Sequence, residues 1–331
     1  MRKKEWLFLL GSVTVFGFVF LLALAIGKYP VSLADLLKMT FSTDGYEIER
    51  SIVANLRLPR TIMAALTGVA LSISGLLYQE VFQNKLVSPD LLGVSSGAGV
   101  GAAIAILLGL PAFAVSGFAF CFGIAAVAMT ILVSKVFRNS SSVTLVLAGV
   151  IVSGFMGAVL SFIKYLADVE TTLASITFWL MGSFEDSVLS DVWILLPIVA
   201  VCSAIVLCIR WRINVVATGE EEAPTRGIPY RAYRYLIIGL ATLLTASSVA
   251  FSGTISWIGL VIPHIVRLIV GRNTKYSIPL AVSFGAVFMV LTDIASRTFT
   301  ASEIPLSAVT GLFGTLVFVL ILYVRRDTVH E

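Results

Sequence analysis

Apolar residues run along this chain in long uninterrupted blocks, not in the one-sided stripes of helices half exposed to water. Nine blocks, at 6–27, 61–82, 91–110, 112–134, 143–166, 192–209, 235–252, 276–294 and 304–324, approach the roughly 20 residues a helix needs to cross a hydrocarbon core. A tenth, ISWIGLVIPHIVRLIVG at 255–271, is interrupted by Pro263, His264 and Arg267 and reads as a short span or a re-entrant segment. The pattern predicts an all-α polytopic membrane protein of about ten transmembrane helices, with residues 1–331 forming one membrane domain. The polar stretches left over are an outer loop at 28–56 and a charged inner connection at 210–234.

Two segments are broken in corresponding ways: QNKLVSPDLLGVSSG at 83–97 follows the second span, and SGTISWIGLVIPH at 252–264 follows the seventh. The second span runs inward and the seventh outward, as an inverted pseudo-repeat requires, and paired interruptions of this kind mark a transport pathway in many transporters. Small residues recur every fourth position at Gly93, Gly97 and Gly101, and again at Gly149, Ser153 and Gly157. Such stripes let helix backbones approach closely in lipid.

Composition agrees: 58% of residues are hydrophobic and only 13% charged, about half the charge of a soluble domain. Block 6–27 is longer than the apolar core of a cleavable signal peptide and reads as a first membrane helix. With ten crossings and both termini cytoplasmic, sixteen of the 23 basic residues fall inside and seven outside, as the positive-inside rule demands. Ten acidic residues lie outside, so Arg57 and Arg60 of RLPR stand against a negative background. Either they snorkel from a helix end to the headgroups or they have a specific partner. The net charge of +4 is modest and sets topology, with no sign of nucleic-acid binding.

Chemistry-bearing residues are sparse. Cys121, Cys202 and Cys208 lie in apolar runs without metal-ligand or disulfide spacing. His264 and His330 are the two histidines, and His264 reads as a packing or hydrogen-bonding residue near a helix end. Protease, esterase and phosphate-loop motifs are missing, so no enzymatic activity is expected. Glu80, Asp90 and Asp293 lie near span ends and form no relay of the type ion-coupled carriers need. In RWRINVVATGEEEAPTRGIPYRAYRY, Thr218 and Glu221 fit a capping box and Gly227 with Pro229 a stop, predicting a short helix over 219–226. That helix is either a solvated connector or a lever seated in a partner's groove.

Taken in order, RLPR at 57–60, SGLLYQEVFQNKLVSPDLLGVSSGAG at 74–99, LAG at 147–149, WLMGS at 179–183, GEEEAPTRGI at 219–228, SGTISWIGLVIPHIVRLIVG at 252–271 and SEIPLSAVTGLFGTLVFV at 302–319 resemble the FecCD-type permease family. Its members are membrane subunits of binding-protein-dependent ATP-driven importers for iron-siderophores, haem and cobalamin. The resemblance implies a multi-pass subunit of the bacterial cytoplasmic membrane. Its implied partners are a second permease (a copy or a paralogue), two cytoplasmic ATPase subunits that hold ATP and Mg, and an external substrate-binding protein. No cofactor or metal is expected on this chain. Matching positions make Arg57, Arg60 and Arg297 candidates for docking the binding protein. The segment Thr218, Gly219, Glu220, Glu221, Glu222, Ala223, Pro224, Thr225, Arg226, Gly227 and Ile228 becomes the candidate ATPase contact, although Pro224 departs from the family pattern. Asn84 and Leu86, with Ser141 and Ser142, correspond to a cytoplasmic gate. The expected cargo is a ferric siderophore; the alternatives are a haem or cobalamin permease of the same family, or an ion-coupled secondary transporter.

Overall fold

The computed structural model describes residues 3–32, 34–36, 38, 45–137, 142–271, 273–300 and 302–325. Among them there is no β-strand. The helices are α1 (Lys3–Ala25), α2 (Glu47–Val81), α3 (Val94–Leu107), α4 (Ala112–Val136), α5 (Ser142–Leu166), α6 (Thr172–Met181), α7 (Leu189–Val216), α8 (Glu222–Thr225), α9 (Tyr230–Ser252), α10 (Ile258–Val270), α11 (Thr274–Thr298) and α12 (Leu306–Arg325). Ten of them match the ten predicted blocks, while α6 and the single turn α8 are additional. The chain is a polytopic all-α membrane protein, although α3 and α10 are shorter than full spans.

The distribution of side chains is the inverse of a water-soluble core. α2 sits in the centre, packed on α11, α9, α10 and α7, and buries Thr61, Thr67, Ser72, Ser74 and Gln79 along with its apolar residues. The outward faces of α1, α5 and α12 expose Leu10, Phe18, Leu147, Phe155, Leu316 and Leu320. In lipid those faces need no covering, and helix association rests on close packing and hydrogen bonds. Ser74 Oγ lies 2.6 Å from Thr245 Oγ1, and Tyr78 Oη 2.9 Å from Thr242 Oγ1, joining α2 to α9. A methyl group on Gly68 of α2 would come within 2.2 Å of the Gly285 carbonyl oxygen of α11, so these backbones nearly touch.

α2 begins at Glu47, fourteen residues before the predicted start at 61, so much of the expected outer loop is helical and RLPR lies inside a helix. Pro59 accounts for the local distortion of this helix. Proline has no N–H to donate to the Asn55 carbonyl and its ring crowds that oxygen. The stretch Ile52–Arg57 widens to a π-helix, and the helix passes through without stopping.

The two interrupted segments meet. The first leaves α2 through Gln83 in a left-handed conformation, passes a 3-10 turn at Pro89–Leu92 and enters α3 at Gly93. The second leaves α9 at Gly253, runs irregularly to Trp257 and enters the half-length α10. A methyl on Gly259 would fall 2.4 Å from Pro89 Cγ, and one on Gly75 only 1.9 Å from the Gly259 oxygen. The irregular backbone finds partners inside the protein, as lipid requires: Ser183 N–H donates to Ser252 O, Leu306 N–H to Gly182 O, and Thr254 Oγ1 to Leu180 O.

The predicted small-residue stripes divide. Gly97 and Gly101 lie against the backbone of α4 at Phe122 and Phe118, Gly149 against Leu91 O, and Gly93 next to Ser153 Oγ. Gly157 has nothing within 4 Å of where its methyl would be and packs no helix of this chain, because its side of α5 faces out of the bundle.

Candidate functional site

At the end that the charge count places outside, three buried arginines gather around buried Asp293 and half-buried Glu303. Arg57 donates from Nη1 to Leu24 O at 2.7 Å and Ala25 O at 2.9 Å, and from Nη2 to Tyr29 O. It therefore caps the C-terminus of α1, where orphan carbonyls and the helix dipole favour a cation. Arg60 donates from Nε to Asp293 Oδ1 at 2.7 Å and holds Glu303 with both terminal nitrogens, at 2.6 and 2.8 Å. Arg297 donates from Nη2 to Ala23 O at 2.6 Å and has Nε 3.3 Å from Asp293 Oδ2. One carboxylate, Asp293, is thus shared by two guanidinium groups, and α1, α2 and α11 are fastened to one another.

These are the three arginines expected to offer free forks to a partner. Each already donates to groups within this chain, and all three are buried, with exposures of 5 to 8%. An unpaired cation in this setting would carry a large desolvation penalty, which internal carboxylates and helix-end carbonyls remove. The same burial excludes plain snorkelling to the headgroups. Asp293 and Glu303 are the partners that the sequence did not assign to these arginines. Glu303 had been counted only as part of an acidic background, although it pairs across 243 residues.

The inner end is built differently. α7 closes at Val216, and Thr218 Oγ1 donates back to Val215 O at 2.8 Å, so the expected capping box with Glu221 does not form. The predicted helix over 219–226 contracts to the single turn Glu222–Thr225. Pro224 is tolerated within this first turn because its missing N–H would have no helical acceptor there. Gly227, with φ +74°, ends it. Ala223 and Ile228 are buried against the body of the protein and anchor the segment, while Glu220 and Glu222 are exposed, the first paired with Arg231 at 3.0 Å and the second with Arg226 at 3.6 Å. The segment therefore offers a charged face fixed by two apolar roots.

Next to it is the turn after α2. Asn84 and Leu86 are both exposed; Leu86 N–H donates to Asn84 Oδ1 at 2.9 Å, and Val87 N–H to Asn84 O at 3.3 Å. Gln79 ties this turn to the core. Its Nε2 donates to Val87 O at 3.1 Å and to Gly259 O at 3.3 Å, while its Oε1 accepts from Arg267 Nη1. Gly259 O is available because Pro263, four residues on, has no N–H to give it. Arg267 also pairs with Glu80 at 3.0 Å. Ser142 Oγ lies 3.5 Å from Arg234 Nη2 at the start of α9. Ser141 is outside the described residues. His264 donates from Nδ1 to Leu260 O at 2.8 Å and meets Phe318 edge-on, a packing role. Among the described residues no three His, Cys, Asp or Glu side chains gather as a metal ion would require.

Comparison with known proteins adds the biological frame. The molybdate import permease MolB of Haemophilus influenzae is 34% identical over 328 residues, covering 98% of this chain and 97% of that one. A cobalamin import permease, BtuC, of Halobacterium salinarum is 37% identical, covering 85% of this chain and 75% of that one. A Helicobacter pylori protein described as a probable iron chelatin transport permease is 34% identical over 83% of each chain. Among solved structures, an inward-facing metal-chelate type ABC transporter superposes with a TM-score of 0.87 at 33% identity, covering 95% of this chain and 98% of that one. The FecCD transport family model matches residues 15–324. With that coverage the chain belongs to the FecCD transport family of ABC-type permeases.

Proposed function

We propose that this permease carries a ferric siderophore inward across the bacterial cytoplasmic membrane, as one half of a paired pore driven by two cytoplasmic ATPase subunits and fed by an external binding protein. The observation that carries the proposal is the superposition on a metal-chelate type ABC transporter over nearly the whole chain at 33% identity. The iron chelatin relative supports the choice of cargo. The charged face of Thr218–Ile228 is the ATPase contact, and Asn84, Leu86 and Ser142 belong to the inner gate. ATP and Mg bind the partner; this chain's share is a passage that opens and closes.

Docking at the outer end works by exchange. A binding-protein carboxylate reaches Arg60 when Glu303, the more accessible of its two acids, yields its place. Arg57 and Arg297 hold the helices while this happens. Direct uptake decides the cargo: vesicles containing the reconstituted importer are offered labelled ferric siderophore, cobalamin and molybdate with ATP inside. ATP-dependent accumulation of the siderophore alone is expected. Accumulation of molybdate, the cargo named for one relative matched over nearly its whole length, or of cobalamin, would replace the cargo while leaving the importer intact.

A further inference from the structure

Between the ATPase contact and the gate turn the structure has one side-chain contact of unusual geometry. Gln83, the residue before Asn84, has φ +51° and is one of two non-glycine residues in the left-handed region among the described residues. That conformation is unfavourable for a side chain of this type. Gly219, the residue after Thr218 at the root of the coupling segment, has φ +110°. A methyl group at Gly219 would fall 2.9 Å from Gln83 Nε2, so the amide of Gln83 fills the space a larger residue would take.

The remainder of the turn is held elsewhere. Asn84 N–H donates to Gln79 O at 3.2 Å, and Gln79 Nε2 grips Val87 O at the far side. Gln79 is in turn fixed by Arg267 and Gly259, deep in the bundle. Asn84 and Leu86 thus form a tight loop with a fixed exit at Val87 and an entry, Gln83, that rests on Gly219.

We propose that Gln83 is the positioning residue that transmits movement of the coupling segment to the inner gate, acting by steric contact with Gly219. The proposal rests on the coupling and gate roles assigned above. Two features support this assignment over simple loop packing. Gln83 takes the left-handed position that closes α2, its N–H donating to Glu80 O at 3.3 Å, where glycine is the common choice, yet this sequence places there a side chain that reaches Gly219. The contact surface opposite is a residue with no side chain, so nothing cushions the transfer.

The test uses the complete reconstituted importer. Q83G keeps the left-handed turn and removes the contact; Q83M keeps length and contact without the amide. With Q83G, ATPase co-purification and ATP hydrolysis should stay near wild type while uptake per ATP falls about tenfold, a size ordinary for coupling between sites. ATP-driven change in the reactivity of a thiol introduced by L86C should vanish in the same background. Q83M should restore both. Uptake per ATP and L86C reactivity unchanged in Q83G would overturn the proposal, as would a Q83M protein that folds but stays uncoupled. If Q83G fails to insert, Q83A, which also withdraws the side chain from Gly219, is read in its place. A control separates this from the coupling assignment: E220K/E222K should lose the ATPase. Should that variant keep the ATPase and full uptake, the coupling assignment falls and the Gln83 role with it; should it lose the ATPase while Q83G stays coupled, the Gln83 role alone falls.

Discussion

The two ends of the bundle are held by opposite means. Outside, three guanidinium groups, two carboxylates and the carbonyls at the end of α1 form a buried ionic clamp over α1, α2 and α11. Inside, the elements meet through one arginine–glutamine–glutamate link, through glycines at backbone contact and through the side chain of Gln83 against Gly219. A buried ion pair is costly to break from one side, because the partner left behind keeps its charge in a poor solvent. Apart from the buried Arg267–Glu80 pair, the inner contacts carry no charge and can slide by an ångström without stranding one. The difference assigns fixed geometry to the outer end and movement to the inner one.

The sharpest way to break this comparison is to remove the shared acid. D293A leaves Arg60 and Arg297 without their common carboxylate and should destabilise the protein by about 3–5 kcal/mol, read as a large fall in thermal midpoint and membrane yield. E80Q at the inner end should cost clearly less, since Arg267 keeps Gln79. Equal losses would mean that both ends are fastened alike.

Crowding the meeting point of the broken segments comes next. G75A drives a methyl against the Gly259 carbonyl, where only backbone could give way. Overpacking of this type costs roughly 1–3 kcal/mol, so a moderate drop in thermal midpoint is expected with a marked drop in uptake. Normal uptake would show that the register of α10 on α2 is not needed for transport.

The smallest effect concerns docking. E303Q weakens the internal competitor for Arg60 while Asp293 remains. Binding-protein affinity should rise by a few fold, the scale of one partly exposed pair worth about 1 kcal/mol, with the gain shrinking at high salt. Unchanged affinity would leave the cluster as a clamp and no more.

Much of this architecture was legible from hydrophobic blocks and charge asymmetry, because lipid imposes length and backbone satisfaction on every span. The paired interruptions were visible as well, and their meeting at Pro89 and Gly259 gives them a physical meaning. Other features were hidden. Pro59 looks the same whether it starts a helix or interrupts one with a π-turn. α6 is ten residues of apolar sequence, too short to be distinguished from a connector. The ionic clamp joins residues 233 and 243 positions apart, and no local pattern announces which carboxylate an arginine will find. Gln83 and Gly219 lie within quoted motifs, but only folded coordinates bring the two together.

Amide hydrogen exchange on the membrane-reconstituted importer, compared with and without ATP, tests the fixed-outside, moving-inside account most directly. Exchange at residues 83–93 and 217–229 should change on ATP addition, while residues 55–62 and 293–298 keep theirs. A change centred on the arginine cluster, with the Gln83 turn and coupling segment unaffected, would contradict it.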